Sequence, residues 1–239
     1  MITNFEQIFE QLRSKSKKRL VAAWAVDDHT ISAAYKAVEL GIVDATLVGD
    51  ADMIAKVCEE EKLDSSVFQI VDVKEELKAI STAVDMINNK EGDILMKGLC
   101  STDKYMRAIL KKEGGLLPPK AVLSHVAVLE SPHYHKLMII SDMAVIPAPD
   151  LKQKEAITKY VVNTAKALQI EKPKVAFIAA TEQMLPGMPA CVDAAILAKM
   201  VDRGQIPGCV ADGPLALDVA VSKEAVAIKK LKSEVAGDA

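Results

Sequence analysis

The chain has 239 residues and a formal net charge of −3, with 50% hydrophobic and 26% charged residues. At about 150 residues per domain, this length corresponds to one or two globular domains that need neither disulfides nor metal ions to form a core. The composition excludes a disordered chain, and a pI near 5.9 argues against a general nucleic-acid binder.

Segments for export or membrane insertion are not evident. The richest apolar stretch, Leu137 to Ile146, is interrupted by Ser141 and Asp142, so it falls short of the roughly 18 residues of a membrane span. The four cysteines are widely spaced and form no C-x-x-C pair. Free thiols are typical of a reducing compartment, so we expect a cytoplasmic protein.

Strands and helices alternate through the first half of the chain. An amphipathic helix with a Thr3–Glu6 capping box is predicted around Phe5 to Leu12. The strands that follow are predicted at Leu20–Ala25, Ala45–Val48, Val67–Val71 and Asp93–Met96. The intervening helices are predicted from an Asp28 cap to Gly41, over Met53–Glu60, along a face with Leu77, Ile80, Val84 and Ile87, and over Ser101–Lys111. This alternation predicts an α/β fold with a parallel sheet covered on both faces.

The segment from Gly114 to Pro119 interrupts the alternation and predicts a boundary between a first domain, 1–118, and a second, 119–239. Predicted elements beyond it are an antiparallel pair (Val122–Leu129 and Leu137–Ser141), a helix Asp150–Leu168, a strand Lys174–Ala179 and a helix Ala190–Asp202.

The segment from Leu95 to Arg107 carries the most informative local pattern. It runs from a strand through a tight turn into a helix, and helix N-termini at strand ends are ready-made phosphate sites. Gly98 would allow close approach, Ser101 or Thr102 would cap the helix, and Lys97, Lys104 and Arg107 add positive charge. Arg107 is one of only four arginines among 30 basic residues, and arginine suits bidentate phosphate binding. A capped helix with surface charges and no ligand explains this segment equally well.

Three other segments make the pattern specific: Ile140–Pro147 with Ser141-Asp142, Ala180–Ala190, and Ala211–Ala220 with Asp-Gly-Pro-Leu-Ala-Leu-Asp. Together with Leu95–Arg107, in this order and spacing, they resemble the phosphate acetyl/butyryl transferase family, its butyryl branch above all. The resemblance extends over nearly the whole chain.

The resemblance implies reversible acyl transfer: an acyl-CoA and phosphate give an acyl phosphate and CoA, with CoA as a substrate and no cofactor or metal. It also implies a two-domain α/β/α fold like that of isocitrate and isopropylmalate dehydrogenases, with an interdomain cleft, and a homo-oligomer. The acetyl branch motif Gly-Ala-x-His-Ser-Thr-Ala-Asp-x-x-Arg carries over to Gly98, Ser101, Thr102 and Arg107, with Lys97 preceding as in the butyryl branch. Cys100 stands where the acetyl branch often has His.

Catalytic residues are not assigned within this sequence. The family's Ser-Arg pair and its proposed general base, an Asp, belong to a C-terminal segment, and this chain has no Ser-Arg dipeptide. We therefore expect them beyond Ala239, together with a return segment of the first domain, the second domain being incomplete. Of the acidic residues Asp142, Glu182, Asp212 and Asp218, we favour Asp142 for the site because it follows an apolar strand.

Several alternatives are open. His133 and His135 form a His-x-His pair beside Glu130 that could be read as part of a zinc site, but no third ligand has convincing spacing and the Pro132 context favours an exposed turn. Ser124-His125 does not resemble a nucleophile elbow, and Cys100 at a helix N-terminus could act as a nucleophile. A nicotinamide- and metal-dependent dehydrogenase on the same fold and a non-catalytic CoA- or phosphate-binding protein are the rival functions. The acyl-chain preference is not readable from the sequence.

Overall fold

The computed structural model describes residues 1–239 and divides into two compact units. The N-terminal unit is Ile8–Ala121, and the C-terminal unit is Val122–Ala239 together with Met1–Gln7. Hydrogen bonds tie the first residues into the C-terminal unit: the Ile2 N–H donates to the Leu168 carbonyl at 3.0 Å and the Phe5 N–H to the Glu130 carboxylate at 2.7 Å. The division into domains at residue 118 stays a prediction.

The N-terminal unit is built on a parallel sheet. Its helices are α1 (Phe5–Arg13, which begins among the first seven residues), α2 (Asp28–Glu39), α3 (Ala51–Glu60), α4 (Glu76–Asn88) and α5 (Thr102–Leu110), with a 3₁₀ turn at Ser65–Val67. Its strands are β1 (Lys18–Ala23), β2 (Val43–Gly49), β3 (Phe68–Asp72) and β4 (Ile94–Lys97), in the spatial order β3-β2-β1-β4. The predicted α/β class with a parallel sheet is confirmed.

Strand β1 lies between β2 and β4, and its side chains pack into the hydrophobic cores on both faces of the sheet. Leu20 and Ala22 pack into one core cluster with helices α2 and α3. The alternate residues Val21 and Ala23 pack into a second cluster with α4. Successive side chains of a strand point to opposite faces, so a continuous apolar run is what a doubly covered strand requires.

The C-terminal unit holds its strands in two separate pairs. Its helices are α6 (Leu151–Ala167), α7 (Pro189–Asp202), α8 (Leu217–Val221) and α9 (Lys223–Lys229), and its strands are β5 (Ala127–Leu129), β6 (Met138–Ile140), β7 (Lys174–Ile178) and β8 (Val210–Leu215). Strands β5 and β6 pair antiparallel, as expected, and β7 and β8 pair parallel. An apolar groove of about 400 Å³ is lined by consecutive residues of β6 and β7 together with residues of α6, α7 and α8.

Several local expectations were wrong. Helix α2 is capped by Asp27, not Asp28. The predicted Thr3–Glu6 capping box does not form at α1, because the Thr3 N–H donates to the side chain of Gln7. The N–H of Gln7 in turn donates to the side chain of Asn4. Leu77 is exposed, since the buried face of α4 runs instead through its alanines and Ile80. Strand β8 and helices α8 and α9 were not predicted. No helix of the structure combines the length and the apolar character needed to cross a bilayer.

Candidate active site

The turn after β4 lies where the strand order of the N-terminal unit reverses direction. The chain steps from β1 outward to β2 and β3, then crosses to the other side of β1 to form β4. Ala23 and Lys97, the last residues of β1 and β4, are register partners, so the two carboxyl ends meet. Open α/β sheets bind ligands in the crevice at such a switch point.

Gly98 is required by the geometry of this turn. Its N–H donates to the Ala23 carbonyl at 2.9 Å, and the next N–H, of Leu99, donates to the Trp24 carbonyl at 3.0 Å. A Cβ at position 98 would lie 2.3 Å from the Trp24 oxygen. The close approach predicted for Gly98 therefore exists, and its partner is the chain's own backbone after β1.

Ser101 is the cap of α5, as the sequence suggested. Its Oγ accepts the Lys104 N–H at 3.3 Å, and Thr102 is the first residue of the helix and exposed. This arrangement places the free N–H groups of the first turn of α5 directly after the Gly98 turn, where they could meet an anionic group.

The three basic side chains predicted for this site, Lys97, Lys104 and Arg107, differ in whether they are paired with a carboxylate. Lys104 forms an ion pair with Glu76, and Arg107 pairs with Asp103 on the same helix at 3.0 Å, with its side chain 79% exposed. Lys97 has no carboxylate partner, and its Nζ makes only a long contact of 3.4 Å with the Gly98 carbonyl. Lys97 is therefore the cation of this group that is most available to a ligand.

Cys100 lies buried behind the turn, in the cluster formed by β1 and α4. Burial raises the pKa of its thiol, and this outweighs the opposing influence of nearby Lys97. A thiol held protonated is a poor nucleophile, so the structure argues against the nucleophile interpretation.

Asp142 lies in the C-terminal unit, directly after β6, and its carboxylate is fully engaged. Oδ1 accepts the N–H groups of Ala144 and Val145, both at 2.8 Å, and Oδ2 accepts the His125 N–H at 3.0 Å. Burial alone would raise the pKa of Asp142, but these backbone donors prevail and lower it. The carboxylate fixes a loop, which a sequence pattern could not reveal.

The other acidic candidates have ordinary structural partners. Glu182 and Asp218 both pair with Lys229, and Asp212 accepts the N–H of Gly213. No three His, Cys, Asp or Glu side chains converge as metal ligands. His135 contacts Asp238 at 3.0 Å, and Glu130 accepts the Phe5 N–H.

Comparison with known proteins identifies the family. The profile described as "Phosphate acetyl/butaryl transferase" matches residues 3–79 and 76–239. The chain belongs to this family. It is 43% identical over 239 residues to a phosphate butyryltransferase of Clostridium acetobutylicum, covering all of this chain and 79% of that protein. It is also 40% identical over 234 residues to a phosphate acetyltransferase of Thermotoga maritima, covering 98% of this chain and 79% of that protein.

Solved structures of phosphate acyltransferases share the fold. A branched-chain phosphotransacylase from Enterococcus faecalis matches with a TM-score of 0.80 and 27% identity, over 93% of this chain and 77% of that one. A phosphotransacetylase from Streptococcus pyogenes matches with a TM-score of 0.79 and 18% identity, over 99% and 80%. The expected membership of the phosphate acetyl/butyryl transferase family, and with it the acyltransferase class, is confirmed.

Proposed function

We propose that this acyltransferase moves a short acyl group, butyryl or one of similar size, reversibly between CoA and inorganic phosphate. Family membership carries the reaction class. What supports the site is that the segment with the family resemblance, Lys97–Arg107, lies at the switch point of the N-terminal sheet. The isocitrate-dehydrogenase-like arrangement with its cleft is part of this proposal, as is the homo-oligomer. A cytoplasmic location is also proposed, and the four free cysteines support it because free thiols are typical of a reducing compartment.

In the proposed reaction the CoA thiolate attacks the carbonyl carbon of the acyl phosphate. The carbonyl oxygen gains negative charge, the carbon–oxygen bond to phosphate breaks, and the acyl group ends on sulfur while phosphate leaves. Electrons are not exchanged with any third group, so the reaction needs no redox cofactor, and CoA enters only as a substrate. Donors fixed in advance around the developing charge lower the barrier.

The switch-point turn supplies such donors. We assign the first-turn N–H groups of α5 and the Lys97 ammonium to a phosphate group, with Gly98 setting the turn and Ser101 and Thr102 offering hydroxyls. Arg107 would leave Asp103 to join them, and Asp142 holds the loop after β6. These residues bind and orient; proton transfer from the CoA thiol is not assigned to any of them.

The decisive experiment measures phosphate-dependent thiol release. Protein expressed from its natural reading frame is incubated with acetyl-, butyryl- or isobutyryl-CoA, and free thiol is followed with and without phosphate. We expect release only with phosphate. Lys97→Met, which keeps the aliphatic stem, should raise the KM for phosphate about tenfold, the size of one hydrogen bond to a charged group. Arg107→Ala should raise the KM for CoA or phosphate, whereas Asp103→Asn, which frees Arg107, should not.

Two results would overturn the assignment. Absence of phosphate-dependent release with every short acyl-CoA would refute the transferase activity, and an NAD-linked absorbance change would favour the dehydrogenase instead. Unchanged kinetics in Lys97→Met and Arg107→Ala would remove these two side chains from the site while leaving the activity in place.

A further inference from the structure

The apolar groove of the C-terminal unit runs along the unpaired edges of two strands. Each strand of a two-stranded sheet has one edge without a neighbour, and this holds for β6 in the β5–β6 pair and for β7 in the β7–β8 pair. The groove is lined by consecutive residues along both strands, Lys136–Asp142 and Pro173–Ile178. Because successive side chains of a strand point to opposite faces, a cavity over one face would meet alternate residues only. The consecutive lining therefore places the groove between the edges of β6 and β7.

The two strands that border the groove run in the same direction. Lys136 lies just before β6, and Lys174 is the first residue of β7. Both ammonium groups contact the Asp238 carboxylate, Lys174 Nζ at 2.7 Å and Lys136 Nζ at 3.1 Å. Both strands therefore begin beside Asp238, at one end of the groove, and extend from there in parallel.

The space between the two edges suits a further strand. About half of the main-chain N–H and C=O groups of an edge strand point away from its paired neighbour and can bond to another strand. Every residue of β6, and every residue of β7 up to Phe177, is only half-buried. By contrast, Val21–Ala23 of β1, which has a strand on each side, is completely buried. One strand in the groove would pair with β6 and β7 at the same time.

The lining of the groove defines the chemistry of such a strand. Helices α6, α7 and α8 also border the groove, through apolar side chains that include Ile157, Leu197 and Val221. Lys154 and Asp193, which belong to the lining too, pair with each other at 2.7 Å and need no charged partner. A strand paired on both edges and covered by helices is a continuous apolar run. At about 3.3 Å per residue, a strand that follows the length of β7 has about five or six residues.

Ala239 lies in the lining of the groove, directly after Asp238. Its N–H donates to the Ala220 carbonyl at 3.1 Å, and its main-chain oxygen accepts the Tyr134 hydroxyl at 2.6 Å. Polypeptide that follows Ala239 would enter the groove at the end where β6 and β7 begin, which is the direction of a third parallel strand. The two relatives compared above contain polypeptide outside the matched region, because this chain covers 79% of each.

We propose that the groove receives a β-strand supplied by the residues that follow Ala239 in the natural reading frame, parallel to β6 and β7 and hydrogen-bonded to both. This strand joins the β5–β6 and β7–β8 pairs into one five-stranded sheet, in which it lies between β6 and β7. The inference goes beyond the proposed acyl transfer and does not depend on it.

The gene sequence provides the first test. The reading frame should continue past Ala239 and encode, within about ten residues, an apolar run of about five or six residues, because connections inside a domain are short. A stop codon directly after Ala239, or a polar stretch in place of the apolar run, would overturn the inference.

Hydrogen exchange of the protein expressed from that frame provides the second test and requires no activity. Strand β1, paired on both edges, and strand β3, paired only with β2, are standards within the same molecule. We expect nearly all amide protons of β6 and β7 to be protected, as in β1. If about half of them exchange quickly, as expected for β3, the groove is open and the inference is wrong, while the acyl transfer is unaffected.

Ile139→Asp tests the groove directly, because it places a charge where the apolar strand should lie. We expect the variant to displace the strand, so that about half of the β7 amide protons lose protection although β7 itself is unaltered. Leu129→Asp is the matched control, since Leu129 is 36% exposed on β5 and outside the groove lining, and it should leave β7 protected. Unchanged protection of β7 in Ile139→Asp, or an equal loss in Leu129→Asp, would contradict the inference. If Ile139→Asp does not fold, the protection of β6 and β7 in the wild type decides alone.

Discussion

The two units use the same kinds of element but bury them differently. In the N-terminal unit four strands form one sheet, and Val21, Ala22 and Ala23 at its centre are completely buried. In the C-terminal unit the strands stand in two pairs, and every residue of β6 is only half-buried beside the apolar groove. The completely buried run of β1 goes with a strand that is paired on both edges and covered on both faces, whereas β6 is paired on one edge only.

This difference predicts unequal sensitivity to truncation in the two cores. Leu47→Ala removes a completely buried side chain from β2 and should lower the free energy of unfolding by about 3 kcal/mol. Ile139→Ala removes a half-buried side chain at the groove and should lower it by about 1 kcal/mol. Urea unfolding followed by circular dichroism and by the fluorescence of Trp24, the single tryptophan, measures both.

Equal losses for the two variants would contradict the comparison. They would show that the strand pairs of the C-terminal unit support a core as dense as that of the four-stranded sheet. A loss for Leu47→Ala seen by Trp24 fluorescence alone would instead show that the N-terminal unit unfolds by itself.

The turn at the switch point of the N-terminal sheet should not tolerate a side chain at position 98. Gly98→Ala would drive a methyl group against the carbonyl oxygens of Ala23 and Trp24, which are backbone atoms that cannot rotate away. We expect a loss of about 2 kcal/mol in the free energy of unfolding, as for other overpacked sites. Gly187→Ala is the control, because a Cβ there meets nothing within 4 Å and the change should be within about 0.5 kcal/mol. Equal stability of the two variants would mean that the β1–β4 contact at the turn yields easily.

The regular part of this fold was accessible from sequence because its signals are local. Each strand of the N-terminal unit is an apolar run next to a capping or turn residue, so all four were predicted close to their observed positions. The end of β1 was placed two residues late, since Ala25 is as apolar as the strand. The strand ends where Trp24 adopts a left-handed conformation (φ 54°), which apolar patterning does not reveal.

Strand β8 was missed because Asp212-Gly213-Pro214 has the composition of a turn. In the structure this segment forms an edge strand that pairs only with β7. Pro214 has no backbone N–H, and none is needed on the unpaired edge of the strand. Gly213 is needed because a Cβ there would lie 2.6 Å from Phe177 Cβ. Such requirements come from the neighbouring strand and are invisible in a local pattern.

The candidate site also combines features that local sequence predicts with features that depend on distant residues. The turn at Gly98 and the Ser101 cap follow from local sequence, and both were predicted. The hydrogen bonds of Asp142 depend on β5 pairing with β6, which brings His125 from 17 residues away. Non-local partners of this kind decide whether an acidic residue faces a substrate or fixes a loop, and a single sequence does not identify them.

The last prediction concerns charge, because the C-terminal unit gathers two lysines and a histidine around a single carboxylate. Asp238 accepts from Lys174 Nζ at 2.7 Å, lies 3.1 Å from Lys136 Nζ, and contacts His135. Burial by itself would raise the pKa of this carboxyl, but the hydrogen bonds from Lys174 and Lys136 hold it well below its usual range. The carboxylate therefore stabilises the fold above its unfolded-state pKa of about 4, and this contribution is lost as the pH falls from about 4 towards the folded-state pKa.

Asp238→Asn should lower the free energy of unfolding at pH 7 by about 1–2 kcal/mol, the range for hydrogen bonds to a charged group. It should also flatten the acid limb of the stability curve below about pH 4, because the variant has no proton to gain there. Asp202→Asn, which removes only an exposed i,i+3 pair with Lys199, is the control and should change stability by less than about 0.5 kcal/mol. Urea unfolding repeated between pH 3 and pH 7 separates the two variants. An acid limb as steep in Asp238→Asn as in the wild type would mean that other carboxylates, such as Asp93 paired with Arg19 in the N-terminal unit, dominate acid unfolding.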